Sequence, residues 1–192
     1  MKLLATIELL SYWHAGTGLG LGVVADAATL KDENRLPYLP GKSIKGLFRE
    51  AFNILEETGN IPENTTETLF GVATTPDSDP NLTAESGCCF FSNGNLSKNL
   101  TQSLMQNTNQ KECLYSTLAQ TKLDDNGVAV DQTLRTIEVC MPVTIFSLIA
   151  VDNDDSKYVT YFQQAATLIK GLGSHRHRGL GRCKISISRI NQ

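Results

Sequence analysis

The sequence predicts an α+β fold in which the chain runs strand, helix, strand, strand, helix, strand. Three observations carry that expectation. The first and last segments, Lys2 to Leu10 and Cys183 to Ile190, alternate apolar and polar residues at the period of a half-buried strand. Two stretches, Ser43 to Thr58 and Tyr158 to Leu172, set apolar residues at helical spacing. Cys88 to Phe91 and Thr144 to Val151 are short, nearly continuous apolar runs of strand length. A chain of 192 residues, 41% hydrophobic and 19% charged, has the size and composition of one globular domain with a real core.

Each element has its own signal. In the first strand Leu3, Ala5, Ile7 and Leu9 share a face. Gly16, Gly18, Gly20 and Gly22 follow at a GxGxGxG spacing, with no helix opening directly after them. That is not the dinucleotide fingerprint; it reads as a bulge or a loop beside a bound backbone. Val23 to Leu36 is polar and irregular. The prolines of Leu36-Pro37-Tyr38-Leu39-Pro40-Gly41 force extended backbone before a helix start. The first helix has Ile44, Leu47, Phe48, Ala51 and Leu55 as its core stripe. Asn60 to Glu85 reads as loop, with Leu69-Phe70-Gly71 as a short anchor. Leu96 to Gln120 is polar and poorly periodic, and is expected to be an inserted arm rather than core. Thr121 to Val139 reads as a hairpin, with Asp124-Asp125-Asn126-Gly127 as its turn; residues 96–139 together are the expected arm and thumb within one domain spanning 1–192. The second helix turns Phe162, Ala165, Ala166 and Ile169 inward.

Composition excludes several classes. The net charge of -3 argues against indiscriminate nucleic-acid binding by bulk charge. No run is long enough to span a bilayer. Glu8 interrupts the apolar start, so no signal peptide is expected and the Asn-x-Ser/Thr triplets are chance matches. The five cysteines are odd in number and lack CxxC spacing, which predicts reduced thiols and a cytoplasmic location, not a disulfide frame or zinc site.

One stretch departs from the acidic balance. Gly171 to Arg182 interleaves glycines with His175, Arg176, His177, Arg178 and Arg182 and contains no carboxylate. Glycines allow close backbone approach, successive N–H groups can cradle an anion, and Arg forks match phosphate oxygens. The loop reads as a polyanion site, with a solvated basic turn as the bland alternative. Lys42, Lys45 and Arg49 share a face at the positive end of the first helix, where acids would be the usual choice; they read as a phosphate site or as a solvated face.

The strand and helix order is ferredoxin-like and RRM-like, and several stretches resemble one family in the right sequence. Leu36 to Arg49 resembles the "PYIPGSSLKGxxR" segment of the RAMP superfamily, above all that of the backbone subunits of type III CRISPR effector complexes. Leu69-Phe70-Gly71 with Gly87-Cys88-Cys89-Phe90-Phe91-Ser92 is similar to its "LFG…GxLxFSD" run. Val128 to Glu138 is similar to its thumb-hairpin segment, and Gly171 to Arg182 to its carboxy-terminal glycine-rich loop. The resemblance implies a single RRM-like palm with a thumb hairpin and inserted loops. Its implied partners are a CRISPR RNA, a target RNA, other RAMP-family backbone subunits and the large polymerase-like subunit, with no membrane. It implies that Lys42, Ser43, Lys45 and Arg49 hold the guide backbone, and that Gly173, His175, Arg176, His177, Arg178 and Arg182 shape the same groove. It also implies that Asp26, by its distance from Pro37-Tyr38, is the catalytic carboxylate and ligand of a divalent metal, magnesium by expectation, for target-RNA cleavage. The neighbourhood Ala25-Asp26-Ala27-Ala28-Thr29 departs from the family's Asp followed by a Pro-Val pair. The large-subunit nuclease and cyclase motifs are missing.

Three functions compete at this level: a guide-binding subunit that cuts, a binding and assembly subunit without chemistry, and a repeat-RNA processing endonuclease using His14, His175 or His177 as acid or base. Asp26 separates the first two. Asp32 is read instead as capping a turn with Asn34.

Overall fold

A computed structural model describes residues 1–18, 26–72, 85–122 and 124–190. In chain order its elements are β1 (Lys2–Leu9), α1 (Gly41–Glu57), α2 (Thr65–Phe70), β2 (Gly71–Val72), β3 (Glu85–Ser86), β4 (Cys89–Phe91), β5 (Asn95–Leu96), α3 (Lys98–Gln106), α4 (Thr108–Glu112), β6 (Tyr115–Gln120), β7 (Arg135–Cys140), β8 (Thr144–Val151), α5 (Lys157–Leu168), a 3-10 turn at Arg176–Arg178, and β9 (Cys183–Arg189).

The main sheet has the order β4-β8-β1-β9, with β5 also pairing β8, and every pairing is antiparallel. β1 and β4 therefore flank β8 as the two parallel strands of a split βαβ unit, and the predicted ferredoxin-like order is observed. The register follows from the alternation in sequence. Ile7 lies opposite Ile145 on one side and Ile185 on the other, and Ala5 lies opposite Ser147 and Ile187. A slip of one residue would turn all of these to solvent. α1 and α5 cover this face and leave the other open.

Phenylalanines close the core between helices and sheet. Phe52 meets Phe162 at 5.0 Å and Phe70 at 5.1 Å, both edge-on, the favoured aromatic arrangement. Gly41 shows why α1 starts with Pro-Gly. A Cβ there would fall 2.3 Å from the Phe91 carbonyl oxygen, so only glycine lets the helix end abut β4. The Gly41 N–H donates to Asn93 Oδ1 at 2.9 Å.

The segment expected to be an inserted arm differs from that reading. α3, capped by the Ser97 hydroxyl, and α4 precede β6 within it. Leu96, Leu104 and Leu114 are buried in the main core. Widely spaced leucines in a polar background give little periodic signal, yet three of them tether the segment. The hairpin is also longer than the turn signal suggested: β6 and β7 pair from Tyr115↔Cys140 to Gln120↔Arg135. The turn itself lies where expected, with the Gly127 N–H donating to the Asp124 carbonyl at 3.0 Å. Residues 19–25, which include Gly20 and Gly22 of the glycine loop, and residues 73–84 lie outside the described residues.

Candidate nucleic-acid interface

The basic loop is pinned rather than free. Gly181 N–H donates to the Tyr12 carbonyl at 2.7 Å, Ser174 N–H to the His14 carbonyl at 2.8 Å, and Arg182 N–H to Ser11 Oγ at 3.0 Å. It is thereby laced onto the chain just past β1. Gly173 has φ +77° and Gly181 φ +68°; a Cβ on Gly173 would lie 2.5 Å from the His14 carbonyl oxygen. The chain itself demands glycine at both positions.

This lacing brings the two glycine-rich stretches together. Gly16, Gly173, Ser174, Arg176 and Ser43 at the head of α1 line one cleft of about 230 Å³. A wider groove of about 1030 Å³ shares Leu47 and Arg176 with it and is lined also by Ile54, Lys170, His177, Arg182 and Lys184. Arg176 reaches across to Glu50, with Nη2 at 3.2 Å from Oε2. Both side chains are substantially exposed, and such a pair contributes little to stability. His177, Arg178 and Arg182 are exposed and His175 is half-buried.

The cations of α1 divide. Lys42 and Ser43 are exposed at the helix start. Lys45 Nζ donates to the Cys89 carbonyl at 3.1 Å, and Arg49 Nη2 to the Gly71 carbonyl at 3.1 Å. These two lie on the flank of α1 that packs against β4 and β2. Ser43, Leu47 and Glu50 lie on the flank that faces the basic loop. The structure thus gathers Ser43, Gly173 and Arg176 at one cleft and sets Lys45 and Arg49 apart from it.

Asp26 is exposed and lies beside the hairpin. Its N–H donates to the Thr136 carbonyl at 2.8 Å, and its Oδ2 accepts the Thr136 N–H at 2.7 Å. Val23, Val24 and Ala25 lie outside the described residues. Asp32 caps a turn as expected: Oδ1 accepts the N–H groups of Asn34 and Leu36, each at 2.9 Å. His14 is buried, with Nδ1 2.7 Å from the Glu138 carbonyl oxygen. That acceptor fixes the proton on Nδ1.

Residues that the sequence reading missed surround this point. Lys31 Nζ is 2.8 Å from Glu138 Oε1 and lies 4.0 Å from the centre of the Tyr115 ring. Burial pushes the Tyr115 phenol above its usual range, and its hydroxyl donates to the Arg35 carbonyl at 2.7 Å. Lys31 and Glu138 are 107 positions apart, so no local pattern announces the pair. Burial also pushes the Cys89 and Cys140 thiols up to about 12, which keeps them neutral packing groups.

Among the described residues no three His, Cys, Asp or Glu side chains gather as a metal site. Asp26 offers one exposed carboxylate. That donor fits a magnesium ion held by one protein carboxylate together with water and substrate phosphate oxygens, its common mode of binding. No helix among the described residues is long and apolar enough to cross a membrane.

Comparison with known proteins matches residues 6–184 to the RAMP superfamily. No curated protein matches the chain. Among solved structures, a chain of the type III-B Cmr-beta complex in its apo state, studied by cryo-EM, superposes with a TM-score of 0.67 at 12% identity over 98% of both chains. A chain of type III-B Cmr-beta bound to cognate target RNA gives a TM-score of 0.67 at 11% identity over 97% of both. At these identities the likeness establishes the fold.

Proposed function

We propose a function from one premise: the chain belongs to the RAMP superfamily. It is a CRISPR RNA-binding backbone subunit of a type III effector complex, working beside other RAMP-family subunits and the large polymerase-like subunit. The observation that carries this reading is the cleft shared by Ser43, Gly173, Ser174 and Arg176, which joins the Pro-Gly helix start to the laced basic loop. Serine hydroxyls, glycine backbone and an arginine side chain line it, groups of the kind that contact phosphate oxygens. Such a site holds any sequence equally, so specificity comes from pairing between guide and target.

Target cleavage is the finer part of the proposal. The exposed Asp26 carboxylate, oriented by the Thr136 N–H, would hold a magnesium ion with substrate oxygens or take the proton of an attacking 2′-hydroxyl. When bound, the ion supplies stabilisation of the charge that builds on the phosphate. One observation favours the non-catalytic reading: Oδ2 of Asp26 is already engaged by Thr136.

Two measurements test these readings. Filter binding over a salt series should show that Arg176→Ala/Arg178→Ala weakens RNA of any sequence and flattens the salt slope by about one unit per lost phosphate contact. Lys45→Met/Arg49→Met should change the slope less, because those side chains serve backbone carbonyls. Unchanged slopes in the loop variant would refute the interface. For cleavage, particles assembled with Asp26→Ala should retain guide and target yet lose magnesium-dependent cutting at the sites facing this subunit. Full cutting there would leave the binding subunit alone.

A further inference from the structure

We infer that the segment bearing Asp26, residues 26–31, acts through isolated bridges as an added strand of the hairpin sheet, and that Lys31 is the positioning residue that holds it in register. This rests on the reading of Asp26 as the cleaving carboxylate. Ala27 forms a parallel bridge with Ile137 of β7, and the Glu138 N–H donates to the Ala27 carbonyl at 3.0 Å. On its other side the same strand pairs with the chain after β1: Gly16 bridges Thr29, and the Leu30 N–H donates to the Ala15 carbonyl at 2.7 Å. The hairpin is thereby widened into a sheet in which Asp26 lies next to β7.

Asp26 itself is located by Thr136 alone among the described contacts, through its own N–H and its carboxylate. Any shear of residues 26–31 along β7 therefore moves the carboxylate. Backbone bonds on both sides resist that shear, and the Glu138 side chain adds a side-chain anchor to them. One of its oxygens accepts the Thr29 N–H at 3.1 Å, and the other pairs with Lys31 Nζ at 2.8 Å. Lys31 also covers the Tyr115 ring on β6. A single ammonium thus ties the Asp26 strand to both strands of the hairpin. The pair is shielded, with side chains 26% and 12% exposed, so it is worth more than a surface ion pair. Lys31 touches no reacting atom in this scheme; it acts through the register of its strand.

The test uses particles assembled with a guide RNA and challenged with labelled complementary RNA and magnesium, with amide exchange measured on the same particles. Lys31→Met keeps the stem and removes the charge. It should lower protection of the Asp26, Thr136 and Glu138 amides about tenfold and lower the cutting rate at saturating target about tenfold, with target Kd unchanged. Lys31→Arg, which can still pair with Glu138 and cover Tyr115, should restore both. Wild-type protection in Lys31→Met overturns the clamp. Lowered protection with a wild-type cutting rate overturns the positioning role. Full cutting by Asp26→Ala particles removes the catalytic reading and with it that role, while the amide protection still decides whether the clamp exists.

Discussion

At the scale of single residues, the glycines of the basic loop separate into two kinds. A Cβ on Gly181 would lie 1.9 Å from the Leu172 carbonyl oxygen, at φ +68°. A Cβ on Gly179, at φ +88°, meets nothing within 4 Å. Gly179→Ala should therefore cost only the left-handed penalty, about 1 kcal/mol. Gly181→Ala adds a backbone collision and should cost about 2 kcal/mol more, or shift the loop off Tyr12. Urea melts of the two variants give the comparison, and equal midpoints would contradict it. The sequence made this loop conspicuous, but it offered ligand approach as the reason for its glycines. At Gly173 and Gly181 the close approach is made by the chain itself, through His14 and Leu172. His14 is far off in sequence, and Leu172, within the same stretch, is set against Gly181 only by the way the loop folds back, so the motif was legible and its cause was not.

At the scale of elements, α1 does more than bury a stripe. Glu56 in its last turn caps α2. Its carboxylate accepts the N–H groups of Asn64 and Thr66 and the Thr66 hydroxyl. Burial is the largest single influence and opposes the charge, but the three hydrogen bonds together outweigh it and hold the carboxyl below its ordinary value of 4.5. A carboxyl depressed in the folded state binds protons more readily when unfolded. Its contribution is complete above about pH 4.5 and is lost as pH falls through the lower folded value. Stability measured by urea at pH 7 and at pH 3.5 should thus fall less in Glu56→Gln than in the wild-type chain; an equal fall would show that the cap carries no proton linkage. The apolar stripe of α1 was readable because it repeats within the helix. The division of its cations was not, because Lys45 and Arg49 find carbonyls 44 and 22 positions away. α3 and β6 escaped for a related reason: Leu104 and Leu114 sit in a polar, poorly periodic stretch, and their burial is decided by what packs over them.

At the scale of the whole molecule, polarity proved a poor guide to attachment. Residues 96–139 look uniformly peripheral in sequence, yet the first part is anchored and only the hairpin tip stands away. Leu96, Leu104 and Leu114 enter the main core, and Lys111 Nζ donates to the Asn34 carbonyl at 3.2 Å. In the tip, Val128 is 61% and Leu134 68% exposed, and the backbone bonds are local, such as Val130 N–H to the Lys122 carbonyl at 2.9 Å. Local opening is cheapest where contacts are few and the backbone bonds face water. The region offers trypsin Lys98 and Lys111 on the anchored part and Lys122 and Arg135 at the two ends of the tip. Within it, limited trypsin digestion of the free subunit should cut at Lys122 or Arg135 well before Lys98 or Lys111, as read by mass spectrometry of early time points. The two fragments should stay associated, because β7 continues into the core through Cys140. Early cleavage at Lys98 or Lys111 would mean that the three leucines do not hold the segment. In particles carrying a guide RNA, slower cutting at Lys122 and Arg135 alone would place the tip against the nucleic acid or a neighbouring subunit, whereas unchanged cutting would leave it in solvent.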